Sequence, residues 1–346
     1  MISSQSRTKE WIMGIRGGSH IAIDPILIEK MILALTLLEN LKTSGVTYIF
    51  KGGTSMLLIL GAPRRFSIDL DIVIETDQGL DEALQPVLQQ GVFHRFEEDE
   101  RSSMIPKQHY KFFYESVIER KESSILLDIL YDENPYPAYQ MVPIQSDLII
   151  TEGQIMEIKC PTPECLFGDK LTAFAPHTTG ILYGKNKDLE IAKQLYDLGL
   201  LFDRILDMNL VAATFQVMAA KELSYRGLGN LSSTDVLEDS FQTACLIGMR
   251  GYGFEKEYAE LLNGIKKLAG FVYIERFTLD SAIMCAGKIA CICSSIMKGS
   301  LEIPRFDPSI DFSTWEIRNT RYNRLNKIKK TSPEAFYYFY QSIEGE

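Results

Sequence analysis

The sequence predicts an α+β fold: a small mixed sheet flanked by helices within residues 1–160, then a mainly helical domain over 161–346. Three observations carry this expectation. Residues 68–75 (IDLDIVIE) alternate strictly, the period of a strand with two unlike faces. Residues 108–115 and 125–130 read as further strands, the second mostly buried. Beyond Pro161-Thr162-Pro163 the texture changes to long helical periods over 187–206, 209–224, 234–249, 255–270 and 278–297, which places a domain boundary near residue 160.

Taken in order, Asp24-Pro25 reads as a helix cap followed by a first-turn proline. The segment after it (ILIEKMILALTLLENL) repeats apolar residues at helical spacing. Tyr48, Ile49 and Phe50 form a short strand that runs into Lys51-Gly52-Gly53-Thr54-Ser55, a short apolar helix (MLLILG) and a basic loop, Pro63-Arg64-Arg65. Pro135-Tyr136-Pro137 breaks the strand pattern. Gly17-Gly18-Ser19 and 227–230 (GLGN) read as loops, the latter lacking the lysine of a P-loop.

Composition narrows the class. With 346 residues, 46% hydrophobic and 24% charged, the chain suits two globular domains. Its six cysteines contain no CxxC and only four histidines exist, which argues against zinc. Cys285, Cys291 and Cys293 lie in an apolar helical stretch and read as small buried hydrophobes, reduced as in a cytoplasmic protein. The N-terminus lacks the apolar core of a signal peptide. No run approaches the ~18 apolar residues of a membrane span, so no membrane partner is expected. A net charge of −10 excludes nucleic-acid binding over the whole surface and requires a local basic patch for any such partner.

Two features carry chemistry. Asp69 and Asp71 fall on one face of the alternating strand, where paired carboxylates repel unless a cation sits between them; magnesium is the hard-cation choice. Asp128, inside ILLDIL, is costly unless paired or metal-bound, and converges with them if its strand lies alongside. The second feature is the glycine turn. Gly52 and Gly53 allow close approach of a ligand at a helix start, where free N–H groups and the helix dipole favour an anion. Thr54 and Ser55 add hydroxyls, Lys51 or Arg65 adds charge, and Ser67 braces the loop before the acids. A triphosphate cradle beside a two-metal platform is a phosphoryl-transfer set.

Lys51-Gly52-Gly53-Thr54-Ser55 followed by Arg65-x-Ser67-x-Asp69-Leu70-Asp71 resembles the signature of the AbiEii family, nucleotidyltransferase toxins of type IV toxin–antitoxin systems within the polymerase-β superfamily. Gly168-Asp169-Lys170-Leu171-Thr172-Ala173 resembles that family's lysine motif, and Lys187-Asp188 with Tyr196-Asp197-Leu198 its later acidic motif. The resemblance implies a polymerase-β-like domain completed by the helical one, and transfer of a nucleotidyl group from an NTP with two magnesium ions. It assigns phosphate binding to Gly52, Gly53, Thr54 and Ser55, metal binding to Asp69 and Asp71, and triphosphate contact to Lys170. Asp188 or Asp197 would complete the active site; Gln194 stands where an acid is usual, which leaves both open. The implied acceptor is a tRNA 3′ end, with a protein hydroxyl, a small molecule or a non-catalytic binding role as alternatives, and a cognate antitoxin is the implied partner. Arg318 to Lys330, with six basic residues, no acid and Tyr322 for stacking, is the candidate RNA contact.

Overall fold

The computed structural model describes residues 1–18, 23–62, 64–75, 80–99, 106–272 and 276–345. Ser19 of the first glycine pair and Pro63 of the basic loop lie outside them. Contacts divide the chain into two compact units, Met1–Thr162 with Phe271–Glu275, and Pro163–Gly270 with Arg276–Glu346.

The first unit is built on a five-stranded mixed sheet in the order β1-β2-β5-β4-β3: β1 (Ile49–Lys51), β2 (Leu70–Ile74), β5 (Glu122–Tyr131), β4 (Lys107–Glu115) and β3 (Arg95–Glu98). Only β2 and β5 pair in parallel; the other neighbours are antiparallel. One face of the sheet is apolar. Phe50, Leu70, Ile72, Ile74, Ile125, Leu127, Ile129, Tyr110, Phe112 and Tyr114 share a core with α2 (Pro25–Thr43). The period of two then turns Lys51, Asp71, Asp128 and His109 to the other face. Asp24 caps α2 through the Ile26 N–H, with Pro25 at its first turn. The first helix, α1 (Lys9–Gly18), runs through Gly17 and Gly18, so the loop expected there is a helix end. Helix α3 (Gly52–Ile59) follows β1 without a gap, and α4 (Leu80–Gln89) precedes β3. A separate ribbon joins β6 (Tyr139–Pro143) and β7 (Glu157–Pro161). A late segment returns to this unit: Phe66 N–H donates to the Phe271 carbonyl at 2.8 Å, and Arg65 bridges Val272.

The second unit is helical: α5 (Pro163–Ala173), α6 (Asp188–Phe202), α7 (Met208–Tyr225), α8 (Ser233–Gly248), α9 (Glu255–Leu268), α10 (Leu279–Lys298) and α11 (Pro333–Ile343). Glycines set how closely helices pack. A Cβ on Gly168 would lie 2.7 Å from the Val211 carbonyl oxygen, so α5 meets the α7 backbone directly. A Cβ on Gly264 would overlap the Asp188 carbonyl group, which fixes α9 against the start of α6. One helix corrects the composition reading. By length and hydropathy α10 is apolar enough to cross a membrane, but 67% of its most apolar window is buried, against α6, α8 and α11, as in a core helix. Lys288 on α10 is ion-paired with Asp203 at 2.8 Å. Five of the six cysteines are buried, Cys285 is half-buried, and none is joined in a disulfide.

Candidate active site

In the first unit the sheet's polar face gathers one row. The register sets Lys51 opposite Asp71, Asp71 beside Asp128, and Asp128 opposite His109, on four successive strands. Neighbouring strands lie ~4.8 Å apart, so the two carboxylates are adjacent. Asp128 Oδ1 and His109 Nδ1 are hydrogen-bonded at 2.6 Å. His109 was not singled out from sequence; its place on the polar face of QHYKFFYE, in register with an acid, was the available signal. Asp69 lies one residue ahead of β2 and is exposed, while Asp71 and Asp128 are half-buried.

The glycine turn meets this row. Gly52 has φ +78°, and a Cβ there would overlap the Asp71 carboxylate, whose Cγ would be only 2.8 Å away. The missing side chain is what lets Asp71 rest on the helix start. A Cβ on Gly53 would lie 2.5 Å from Arg65 Nη2 and 2.7 Å from Ser67 Oγ, so both side chains pack over this glycine. Arg65 is buried and its Nη1 donates to the Phe66 carbonyl at 3.1 Å. Lys51 Nζ lies 5.9 Å from the centre of the Tyr136 ring.

Two hydroxyls differ from the sequence expectation. Thr54 Oγ1 donates to the Asp69 carbonyl at 2.6 Å and Ser55 Oγ to the Gly52 carbonyl at 2.8 Å, and both residues are buried. They tie the turn to the acid loop; what the helix start can offer an anion is its backbone N–H groups. Among the described residues no three acid, histidine or cysteine side chains are grouped so as to hold a metal ion by themselves. The oxygen donors of Asp69, Asp71 and Asp128 nevertheless suit magnesium, which takes one or two carboxylates and completes its shell with phosphate and water.

The second unit brings together Lys170 and Asp197. Lys170 Nζ lies 2.8 Å from Asp197 Oδ2, with side chains 8% and 1% exposed, and 3.4 Å from Gln194 Oε1. Lys170 is therefore not a surface lysine. Asp188 is placed elsewhere: its carboxylate accepts from Asn263 Nδ2 at 2.5 Å and from Lys267 Nζ at 3.1 Å, both on α9. Asp188 thus joins α6 to α9, and Asp197 is the acid that lies beside Lys170. Tyr322, expected to stack on RNA, is also placed otherwise. It is buried, packs edge-on against Phe241 at 5.7 Å and accepts from Gln242 at 2.7 Å.

The comparisons bear on this geometry. The family model for the AbiEii nucleotidyltransferase toxin of type IV toxin–antitoxin systems matches residues 36–263, which contain every residue of the row, the glycine turn and the Lys170–Asp197 pair. The chain belongs to the AbiEii family. It is accordingly a nucleotidyltransferase, and family membership implies an NTP substrate and an antitoxin partner. A search of curated proteins finds no match to this AbiEii chain. Among solved structures it is similar to a candidate nucleotidyltransferase from H. pylori, with 16% identity, TM-score 0.48, and coverage of 80% of this chain and 97% of that one. It is also similar to JHP933 from Helicobacter pylori, with 15% identity, TM-score 0.45, and coverage of 86% and 96%.

Proposed function

We propose that this AbiEii nucleotidyltransferase moves an NMP group from an NTP to the 3′-terminal hydroxyl of a tRNA, with magnesium at Asp69, Asp71 and Asp128. The observation that supports it most is the contact of Gly52 with the Asp71 carboxylate, in register with Asp128. An anion seated on the N–H groups of α3 then lies next to the acids.

The acceptor oxygen attacks the α-phosphorus, the α–β phosphoanhydride bond breaks, and pyrophosphate leaves with the electron pair. Asp128 takes the proton released by the acceptor hydroxyl, and His109 holds that carboxylate in place through its 2.6 Å hydrogen bond. The α3 N–H groups orient the triphosphate, and Arg65 and Ser67 hold the acid loop against Gly53. Magnesium, when bound, neutralises phosphate charge as it builds on the leaving group. Lys170, to which the family's lysine motif gives the triphosphate contact, is ion-paired with Asp197.

The test is transfer of label from α-labelled NTPs to purified total tRNA and to lysate protein, with magnesium and with EDTA. Label on the tRNA 3′ end that is lost in Asp69→Ala/Asp71→Ala supports the reading. Label on protein alone overturns the acceptor, and full activity in the double variant overturns the metal site.

A further inference from the structure

The helical unit holds a cavity of about 470 Å³ that the reaction described above does not use. Its size is that of a small-ligand pocket. The floor comes from α8 and the wall from Tyr183. Tyr252 and Phe254 stand at the mouth, 54% and 52% exposed. The turn that presents these two rings is built of left-handed residues, Arg250, Gly251 and Gly253. A Cβ on Gly251 would meet the Tyr258 ring at 2.5 Å, so the turn is packed down in one position.

Two hydroxyls in the lining have no ordinary hydrogen bond. Thr243 Oγ1 and Tyr183 Oη are both buried atoms, and although Thr243 is near enough to ease the upward push that burial gives the Tyr183 phenol, neither finds a partner within bonding length. Such atoms cost free energy unless a ligand or water reaches them. Asp239 is already satisfied: it accepts from His177 N–H, His177 Nδ1 and Thr178 Oγ1. Glu238 is exposed and accepts from Gln242, while the half-buried Glu257 carboxylate lines the cavity as an acceptor. The lining thus offers aromatic faces, hydroxyls and the Glu257 carboxylate, which repel a phosphate and suit a planar group carrying N–H donors. The rim is opposite in sign. Arg321 lines it, and the Arg324 guanidinium lies 4.0 Å over the Tyr252 ring.

We propose that this cavity takes an unpaired nucleobase of an RNA strand, stacked on Tyr252 and Phe254, with the adjoining phosphates on Arg321 and Arg324. The proposal rests on RNA being the acceptor. It also replaces Tyr322, buried beneath this surface, with two exposed rings as the stacking groups. Carboxylate acceptors favour the amino-bearing edges of adenine and cytosine over uracil. A cationic peptide would satisfy the interior but not the arginine rim.

The experiment is fluorescence anisotropy of the full chain with fluorescein-labelled rA, rC and rU hexamers, for wild type and for Tyr252→Ala/Phe254→Ala. Both rings are exposed, so thermal unfolding should be unchanged and is measured alongside. The expected result is tighter binding of rA and rC than rU, and a loss of about tenfold or more in the double variant, in line with base–aromatic stacking. Thr243→Val gives a smaller loss on the same hexamers. No measurable binding of any hexamer, or affinities in the double variant within twofold of wild type, overturns the proposal. The same preparations are assayed for label transfer to tRNA. Transfer that persists alongside unchanged hexamer binding removes the pocket alone, whereas hexamer binding lost in the variant without any transfer removes the acceptor reading and leaves the pocket.

Discussion

Removing both partners of the Lys170–Asp197 pair should cost much less than the sum of removing each alone. At 2.8 Å, two unit charges attract by about 6 kcal/mol at an effective dielectric near 20. Burying them costs several kcal/mol per ion, so the pair is worth little relative to a well-packed apolar substitute. Asp197 is 1% exposed and Lys170 8%, so solvent screens neither partner once the other is gone. Lys170→Met and Asp197→Val should therefore each destabilise the helical unit by about 3–5 kcal/mol, and the double variant by much less than their sum. The assay is urea unfolding followed by far-ultraviolet circular dichroism, which reports mainly on helices. The expected coupling exceeds about 2 kcal/mol. Single variants that add to within ~0.5 kcal/mol would refute a buried, mutually dependent pair. Label transfer separates stability from function: a double variant that is stable but inactive is the expected result, and one that retains wild-type transfer would sink the proposed role of Lys170.

Three further outcomes follow from other parts of the molecule. Gly52→Ala forces an L-residue into φ +78° and drives a Cβ into Asp71; the strain is about 1–2 kcal/mol, and displacing the carboxylate by ~1 Å should lower transfer on the order of a hundredfold. Steady-state rates against the thermal midpoint distinguish this loss from unfolding. In the capping box of α8, the Ser232 hydroxyl and N–H hold the Asp235 carboxyl below its ordinary value of 3.8. The resulting stabilisation is present above that value and disappears as pH falls through the lower folded one, so Asp235→Ala should lower the thermal midpoint at pH 7 and leave it unchanged at strongly acid pH. Burial pushes the Cys291 thiol up to about 12 and the Cys160 and Cys245 thiols higher, so an aromatic disulfide reagent at pH 8 should titrate at most the half-buried Cys285 in the native chain and all six after denaturation.

Much of the site was legible because its signals are local. The alternation of IDLDIVIE assigns Asp71 to the face opposite Leu70 and Ile72 whatever the strand pairs with, since the period of two belongs to the strand itself. The helical periods beyond Pro163 were readable for the same reason, and α6 to α10 lie where the apolar spacing put them. What pairs with what was not readable. The partner of Asp128 is set by the β4–β5 register, and a shift of one residue would have turned His109 to the core. Thr54 and Ser55 look like ligand donors in sequence, but their hydroxyls donate hydrogen bonds to the Asp69 and Gly52 carbonyls.

The sequence by itself determined which residue types were available and on which face of each element they fall, because propensity, alternation and capping act over a few residues. Only the tertiary structure set Asp197 beside Lys170 and Asp188 against α9, buried Tyr322 while leaving Tyr252 and Phe254 exposed, and brought Phe271 back to the loop that carries Arg65. Each of those outcomes is a contact between residues far apart in the chain. Such contacts depend on how closely whole elements pack, which at Gly168, Gly264 and Gly52 is governed by the absence of a single side chain.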